Sequence, residues 1–374
     1  MADSTYKRPV YRVTANGSDL TATIADRLVS LSITDETDES ADVLEIVLAD
    51  HDPNAPIALP PTGALLTVAL GYGSADTDMG GYIVDDISLS GPPEQMTIRA
   101  KSAAFDENNN GPYHLQTQVT RHWADKTTIG AMVQKIASEH GMTAQIAASL
   151  ASIQLPHTEQ VDESDLNLLA RLAPEYDAVV KPKGSVLLFM QRGAELSVSG
   201  QALPATVAEK VDCTTWHYNV QRREGAGTVV TKFRAFKEKQ IHYIAAGSGN
   251  PVKRIKQMFT NRAEALAAAK AELRKRRRAA QRMDLTFPGV AGIQAQSAFY
   301  LSGFRSDIPA RWLVSRVVHT YSGDVYRCSV DLELPNDDSD VTIVETTKKL
   351  VKRTNDNGMV YGEIVDEEVQ SDGS

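Results

Sequence analysis

The sequence predicts an α+β fold that is mainly β: two β-rich units of similar size, each a barrel or sandwich, with a small α+β domain inserted between them. Three observations carry this. Apolar and polar residues alternate through the first hundred positions, the period turns helical from about residue 127, and alternation returns from about residue 205, broken once by a long alanine-rich helix.

In order along the chain, "RLVSLSIT", "DVLEIVLAD", "ALLTVALGYG", "GGYIVDDISLSG" and "EQMTIRAKS" read as antiparallel strands separated by turn signals. In "DVLEIVLAD" the period of two puts Leu44, Ile46 and Leu48 on one face, and these are expected in the core. The acidic stretch "TDETDESAD", from Thr34 to Asp42, reads as a solvated turn. It lacks the glycine and distal glutamate of a calcium loop. "DENNNGPYH" from Asp106 is a linker by composition and closes a first unit over residues 1–110.

The α+β domain follows over 115–197. "KTTIGAMVQKIASEHG" gives a helix with Ile129, Met132, Val133 and Ile136 on one stripe and Gly141 as its stop. A second helix starts near Ser164 or Asp162, with Leu166, Leu169, Ala170 and Ala173 at helical spacing, and two strands flank the turn at Lys183 and Gly184. The second β-rich unit spans 203–335. Its helix, about 261–283, opens on Asn261 and Glu264 at capping-box spacing and ends in the basic run "ELRKRRRAAQRM". Residues 336–374 are polar and poor in core residues, so they are expected to be a tail that orders on a partner.

With 39 Lys plus Arg against 48 Asp plus Glu, the net charge of −9 disfavours DNA or an anionic membrane as a general partner. The basic run is the one feature pointing the other way. At a helix C-terminus it complements the helix dipole, and a solvated face or an acidic surface of this subunit or its neighbour is favoured over nucleic acid. No apolar run is long enough for a membrane helix, and the first residues do not read as a signal peptide. Cys213 and Cys328 make neither a CxxC nor a framework of bridges, which predicts buried thiols in a reducing compartment.

No catalytic, cofactor-binding or metal-ligating residue is expected. The eight histidines are scattered with no HExxH, and "DHDP" around His51 fits a turn better than a metal site. Paired acids such as Asp85 with Asp86 and Asp337 with Asp338 have nothing to set their environments apart, as acid–base catalysis requires. "GYGSADTDMGG" and "GAGTVV" lack phosphate-loop spacings and suit hairpins, as does Asn16-Gly17.

One internal echo stands out. In "GYIVDDISLSGPPEQMTIRAKS" and "RWLVSRVVHTYSGDVYRCSVDLE" an aromatic precedes two aliphatics (Tyr82, Ile83, Val84; Trp312, Leu313, Val314). A further aliphatic follows three positions on (Ile87; Val317), then a Ser-Gly turn and a return strand. Each closes a β-rich region, which suggests a duplicated unit, two unrelated hairpins being the alternative.

Several stretches together resemble the late-control D family of bacteriophage tail proteins, itself similar to the hub portion of type VI secretion spike proteins. They are "LVSLSITDETDESADVLEIVLADHD", "GGYIVDDISLSGPPEQMTIRAKSAAF", "KTTIGAMVQKIASEHG", "LPHTEQVDESDLNLLARLAPEYDAVVKPKGSVLLFMQRG", "NRAEALAAAKAELRKRRRAAQRMDLTFPG" and "GFRSDIPARWLVSRVVHTYSGDVYRCSVDLEL", and they span nearly the whole chain up to Pro335. The resemblance implies a structural baseplate hub of a contractile tail, not an enzyme. Two tube-like antiparallel β-barrel domains would flank the small α+β domain, and a homotrimer would form a pseudo-sixfold ring. That ring would join a sixfold tail tube protein, or a tube initiator, to a threefold central spike protein, with the tape measure and other baseplate proteins as further partners. It places the protein in the virion's tail baseplate after assembly in the bacterial cytoplasm, with no specific nucleic-acid binding and no cofactor. The rival readings are a tail-associated peptidoglycan hydrolase and a nucleic-acid-binding β-barrel.

Overall fold

In the computed structural model the described residues are 8–37, 41–52, 54–102, 114–183, 185–193, 195, 201–221, 227–235, 240–336, 341–354 and 360–369. The fold is mainly β with large antiparallel sheets, as the alternation predicts. The first unit contains β1 (Pro9–Ala15), β2 (Ser18–Asp19), the turn α1 (Thr21–Ile24), β3 (Leu28–Glu36), β4 (Val43–Ala49), β5 (Leu65–Tyr72), β6 (Ala75–Ser90) and β7 (Gln95–Ser102). Leu44, Ile46 and Leu48 are buried on one face of β4, as the period of two requires. Asn16 and Gly17 both take positive φ in the two-residue turn between β1 and β2, the conformation that Asn-Gly favours.

The middle domain contains β8 (Gln118–Trp123), α2 (Ile129–Glu139), β9 (Thr143–Ile146), α3 (Ala148–Ala151), β10 (Thr158–Ser164), α4 (Asp165–Leu172), β11 (Ala178–Lys183) and β12 (Val186–Gln191). It has its own core. Ile129, Met132, Val133 and Ile136 of α2 meet Leu166, Leu168, Leu169 and Leu172 of α4 and Leu187 and Phe189 of β12. Ser164 caps α4, its hydroxyl accepting from the amide of Asn167. The expected apolar stripe of α4 needs one correction: Ala170 is exposed, and Leu168 and Leu172 take the buried positions. At 100° per residue the buried stripe centres on Leu169 and Leu172, and position 170 lies beyond its edge.

The last part contains β13 (Thr206–Glu209), β14 (Thr215–Val220), β15 (Thr228–Ala235), β16 (Gln240–Ala246), β17 (Val252–Phe259), α5 (Arg262–Ala280), β18 (Gln281–Pro288), β19 (Ala298–Ser302), β20 (Arg311–Ser322), β21 (Val325–Glu333), β22 (Ile343–Thr354) and β23 (Val360–Val369). It divides between two sheets. β13, β14 and β18 to β21 continue the sheet of the first unit, whereas β15, β16, β17, β22 and β23 form a separate five-stranded sheet in the order β17-β15-β16-β22-β23. Three strands of the second sheet, β15 to β17, are therefore inserted between β14 and β18, and β22 and β23 join them from beyond β21, with α5 covering the sheet through Ala265, Ala269 and Leu273.

Two expectations change here. The helix ends at Ala280 because Gln281 is already extended (φ −137, ψ 136), so Met283, expected on the helix, lies in the sheet core. Residues 336–374, expected to order on a partner, supply β22 and β23 to a sheet of the same chain, with Ile343 opposite Ala246 and Ile241 opposite Lys348. Pairing by backbone hydrogen bonds needs no apolar face, so a polar segment joins a sheet without the pattern that would announce it.

The capping pair at the start of α5 is formed, with its return bond shifted by one residue from Asn261 to Thr260. Asn261 accepts from the amide of Glu264 at 2.9 Å, and the Glu264 carboxylate reaches back to the Thr260 amide at 3.3 Å. Asn261→Ala is expected to lower stability by about 1 kcal/mol, read from the urea midpoint, with Asn261→Ser close to wild type.

Candidate functional site

The internal echo is a full topological repeat. In the first unit the strands lie in the order β3-β4-β7-β6-β5-β1, and in the second in the order β14-β18-β21-β20 with β19 and then β13 beside β20. Matched by chain order, β14, β18, β21, β20, β19 and β13 occupy the places of β3, β4, β7, β6, β5 and β1. Details agree with this matching. The register of β6 on β7 shifts between Val84 and Asp86, and that of β20 on β21 shifts between Val314 and Arg316, which is the same place after the aromatic-aliphatic-aliphatic triplet. Tyr82 is buried with its hydroxyl donating to the carbonyl of Met79, three residues back. Trp312 is buried with its indole N–H donating to Pro309, also three back. One difference is that β1 runs antiparallel to β5, whereas β13 runs parallel to β19.

The repeats join edge to edge through β20 and β3, with Val317 opposite Asp35, His319 opposite Ile33 and Tyr321 opposite Leu31. All six side chains are buried and face the shared core. His319 is a core residue, not a ligand. One ring nitrogen lies 2.8 Å from the Tyr326 hydroxyl and the other 3.1 Å from the Ile293 carbonyl, and burial holds it below its usual pKa and hence neutral.

The middle domain is pinned to this junction by a buried charge cluster. Lys181 of β11 places its ammonium 2.6 Å from Asp35 Oδ1 and 2.5 Å from Asp42 Oδ1, and it donates to the Glu36 carbonyl. Asp35 also accepts from the amide of Ala295 at 2.9 Å. The reading of Thr34 to Asp42 as a solvated turn is therefore corrected for its two ends: Asp35 and Asp42 are buried, and a lysine occupies the place a cation would take. Asp38 to Ser40, between them, lie outside the described residues. Asp42 Oδ1 is close to the ammonium but off any hydrogen-bonding direction, so that contact is ionic.

Burial pushes the Asp42 carboxyl up to about 6, and the Asp35 anion adds to it. Burial also pushes Asp35 up, but Lys181 and then Lys183 outweigh this and hold it below the usual range. A carboxyl whose folded value lies above its ordinary 3.8 contributes stability at low pH that is lost as pH rises through the folded value. Asp42→Asn is accordingly expected to gain on the wild-type chain between about pH 4 and about pH 6.5, read as a growing difference in urea midpoints. A constant difference over that window would mean that Asp42 does not titrate there. Asp35 shifts the other way, so its contribution is lost only below that window.

The basic run also meets an acidic surface of its own chain. Arg278 is buried, forked onto the carboxylate of Asp177 and donating to Asn336 Oδ1 at 2.6 Å, with Glu333 at 3.7 Å. Arg274 lies 3.8 Å from the same Asp177, and Arg276 donates to Glu272. Helical periodicity places Arg278 with Arg274 and Lys275, opposite the stripe of Leu266, Ala269 and Leu273. Arg278 is buried because α5 is covered on both sides, by its own sheet and by the middle domain, whose core Ala267 joins. Asp177 ends the 3-10 turn Ala173–Tyr176 in a left-handed conformation (φ 53), and its side chain thereby faces the helix.

Other groups are not brought together. Among the described residues no group of three or more His, Cys, Asp or Glu could hold a metal ion, and no helix is long and apolar enough to cross a membrane. His51 is exposed, while Asp50 accepts from the Ile57 amide and Arg27, as a strand-end turn requires. Asp85 pairs with Lys101, and "GYGSADTDMGG" makes the β5–β6 hairpin. Cys328 is buried and Cys213 half-buried, and both are free thiols. Residues 106–113 of the linker, Gly225 and Ala226, and Asp337 and Asp338 lie outside the described residues.

Comparison with known proteins gives a consistent set of relatives. The profile of the phage tail baseplate hub (GPD) family matches residues 63–325. The chain is similar to a probable baseplate hub protein of Escherichia phage 186, 30% identical over 370 residues, and to one of Escherichia phage P2, 29% identical over 370 residues. Each comparison covers 87% of this chain and 93% of the relative. Among solved structures, the fold is similar to a tail protein from Neisseria meningitidis (TM-score 0.61, 11% identity, 87% of this chain and 96% of that one). It is similar also to the 43 kDa tail protein of prophage MuSo2 from Shewanella oneidensis (TM-score 0.59, 12% identity, 87% and 98%).

Proposed function

Because the chain belongs to the phage tail baseplate hub family, and so is a component of a phage tail baseplate, we propose that three copies form a ring of six similar units. In this reading the ring presents the sixfold tail tube protein with six similar surfaces and the central spike protein with three. The observation that carries it is the topological repeat: six strands in one spatial order, twice, joined edge to edge. A closed threefold assembly turns two similar units per chain into six places around one axis. The chain's role is then mechanical, with no catalytic step. The tape measure and other baseplate proteins are further contacts of the assembled ring, which forms in the host cytoplasm and travels in the virion.

The nucleic-acid reading rested on the basic run alone, and Arg274, Arg276 and Arg278 are engaged by acids of the same chain. No observation favours the hydrolase reading. Native mass measurement on the purified chain at micromolar concentration and on hub released from assembled tails is expected to give three copies. A monomer in both would overturn the ring.

A further inference from the structure

The repeat leaves one junction unmade within the chain. β20 pairs with β21 along one edge, while on the other β19 covers Arg311 to Leu313 and β3 covers Arg316 to Tyr321. Its counterpart β6 pairs with β7 along one edge, and on the other β5 reaches only Ile83, with Ala64 and Gly63 completing that ladder at Val84. Among the described residues no strand pairs with Asp86 to Ser90 on that side. Likewise β3 lies between β4 and β20, whereas its counterpart β14 pairs only with β18 among the described residues. The chain thus carries one made junction, β20 with β3, and the two halves of an unmade one, β6 and β14. Six strands of the sheet separate these halves.

The side chains on the two open edges agree. By the matched registers Trp216, Tyr218 and Val220 stand where Leu31, Ile33 and Asp35 stand, and Ile87 and Leu89 stand where Val317 and His319 stand. Leu31, Ile33, Val317 and His319 are at most 2% exposed, whereas Trp216 is 41%, Val220 58% and Leu89 60% exposed. Ile87 and Tyr218 pack in part against the chain's own core, so the face that is closed at the made junction is partly open at both halves of the unmade one. Unpaired strand edges with such a face are templates for pairing with another chain.

We infer that β14 of one copy pairs antiparallel with residues 86–90 of β6 in the next, in the register of the β20–β3 junction. Leu89 then faces Tyr218 of the adjoining copy, Ile87 faces Val220, Ser88 faces Asn219 and Ser90 faces His217. This deepens the ring reading and rests on it, since it says which edges close the ring and how they are aligned. The partner surface is a second copy of this chain because its geometry repeats the internal junction strand for strand.

The test uses paired cysteines in a Cys213→Ser background: Leu89→Cys with Tyr218→Cys, and Ser88→Cys with Asn219→Cys. Neighbouring pairs in an antiparallel ladder alternate between narrow and wide, so one of the two suits a disulfide. Ser90→Cys with Val220→Cys, three residues out of register, is the control. Mild oxidation of the purified chain and of assembled tails is expected to give a covalently closed three-copy species from at least one in-register pair and none from the control. The six positions paired in these variants lie on the edge strands β6 and β14, Tyr218 alone of them packing in part against the core, and an unfolding midpoint measured for each variant checks that it folds. Three copies by mass with neither in-register pair linking, or with the control linking faster, would overturn the pairing while leaving the ring intact. A disulfide closed within a single chain would overturn it too. A monomer from both sources would remove the ring and the pairing together.

Discussion

Lys181→Met is expected to destabilise the protein by about 3–5 kcal/mol at neutral pH, because it strips the cation from two buried carboxylates at once. The lysine side chain is 12% exposed and Asp35 and Asp42 are 12% and 8%, so water cannot replace it. Asp35 retains the Ala295 amide, but Asp42 Oδ1 has no hydrogen bond to fall back on. The loss should therefore shrink in the double variant Lys181→Met with Asp42→Asn, and also on lowering the pH toward 4.5, where Asp42 takes up its proton. Lys101→Met provides the contrast: it breaks a 2.8 Å pair with Asp85 in which both partners are about half exposed, and less than about 1 kcal/mol is expected. Urea unfolding of the four proteins reads all of this. A Lys181→Met loss as small as that of Lys101→Met would show that the cluster is solvated in solution. Because β11 carries the lysine and the β3–β4 segment carries both acids, the same variant is expected to raise proteolytic cutting between the middle domain and the first unit.

Arg278→Ala is expected to cost a similar amount, about 3–5 kcal/mol, for a related reason. Its guanidinium is 5% exposed, and it forks onto an Asp177 side chain that is 3% exposed, while also holding Asn336. Arg274, 3.8 Å from the same carboxylate, compensates in part, so the double variant should lose more than the sum of the single ones. Lysine at 278 cannot make the two-pronged contact, and Arg278→Lys is expected to recover little. The exposed Lys275, three residues earlier on the same helix, should tolerate alanine within about 0.5 kcal/mol. Thermal unfolding checks the set: equal losses at 275 and 278 would return the whole run to plain solvated surface.

Both clusters show what a sequence reading of this chain misses. The alternation in "DVLEIVLAD" placed Leu44, Ile46 and Leu48 correctly, and the spacing of Asn261 and Glu264 marked the start of α5, because both signals are complete within a few residues. The acidic stretch from Thr34 looked solvated because the lysine that buries its ends is 146 positions from Asp35. Likewise the partner of Arg278 is 101 positions away, and no local pattern distinguishes Arg278 from Arg277. The aromatic-aliphatic echo was legible as a hairpin pair, yet the repeat it marks includes strands such as β13 and β19 that are too short to carry a pattern of their own.

The sequence by itself determined the mainly β character and the two amphipathic helices between the β-rich stretches, and it suggested a duplication, since all three are written in side-chain periodicity along the chain. Only the tertiary structure decided that the repeats fuse through β20 and β3, that the polar C-terminal segment adds β22 to the inserted sheet, and which charges are buried. The physical reason is common to these. Strand edges match through backbone hydrogen bonds that almost any residue can make, and a charge is buried or solvated according to a partner brought from far along the chain.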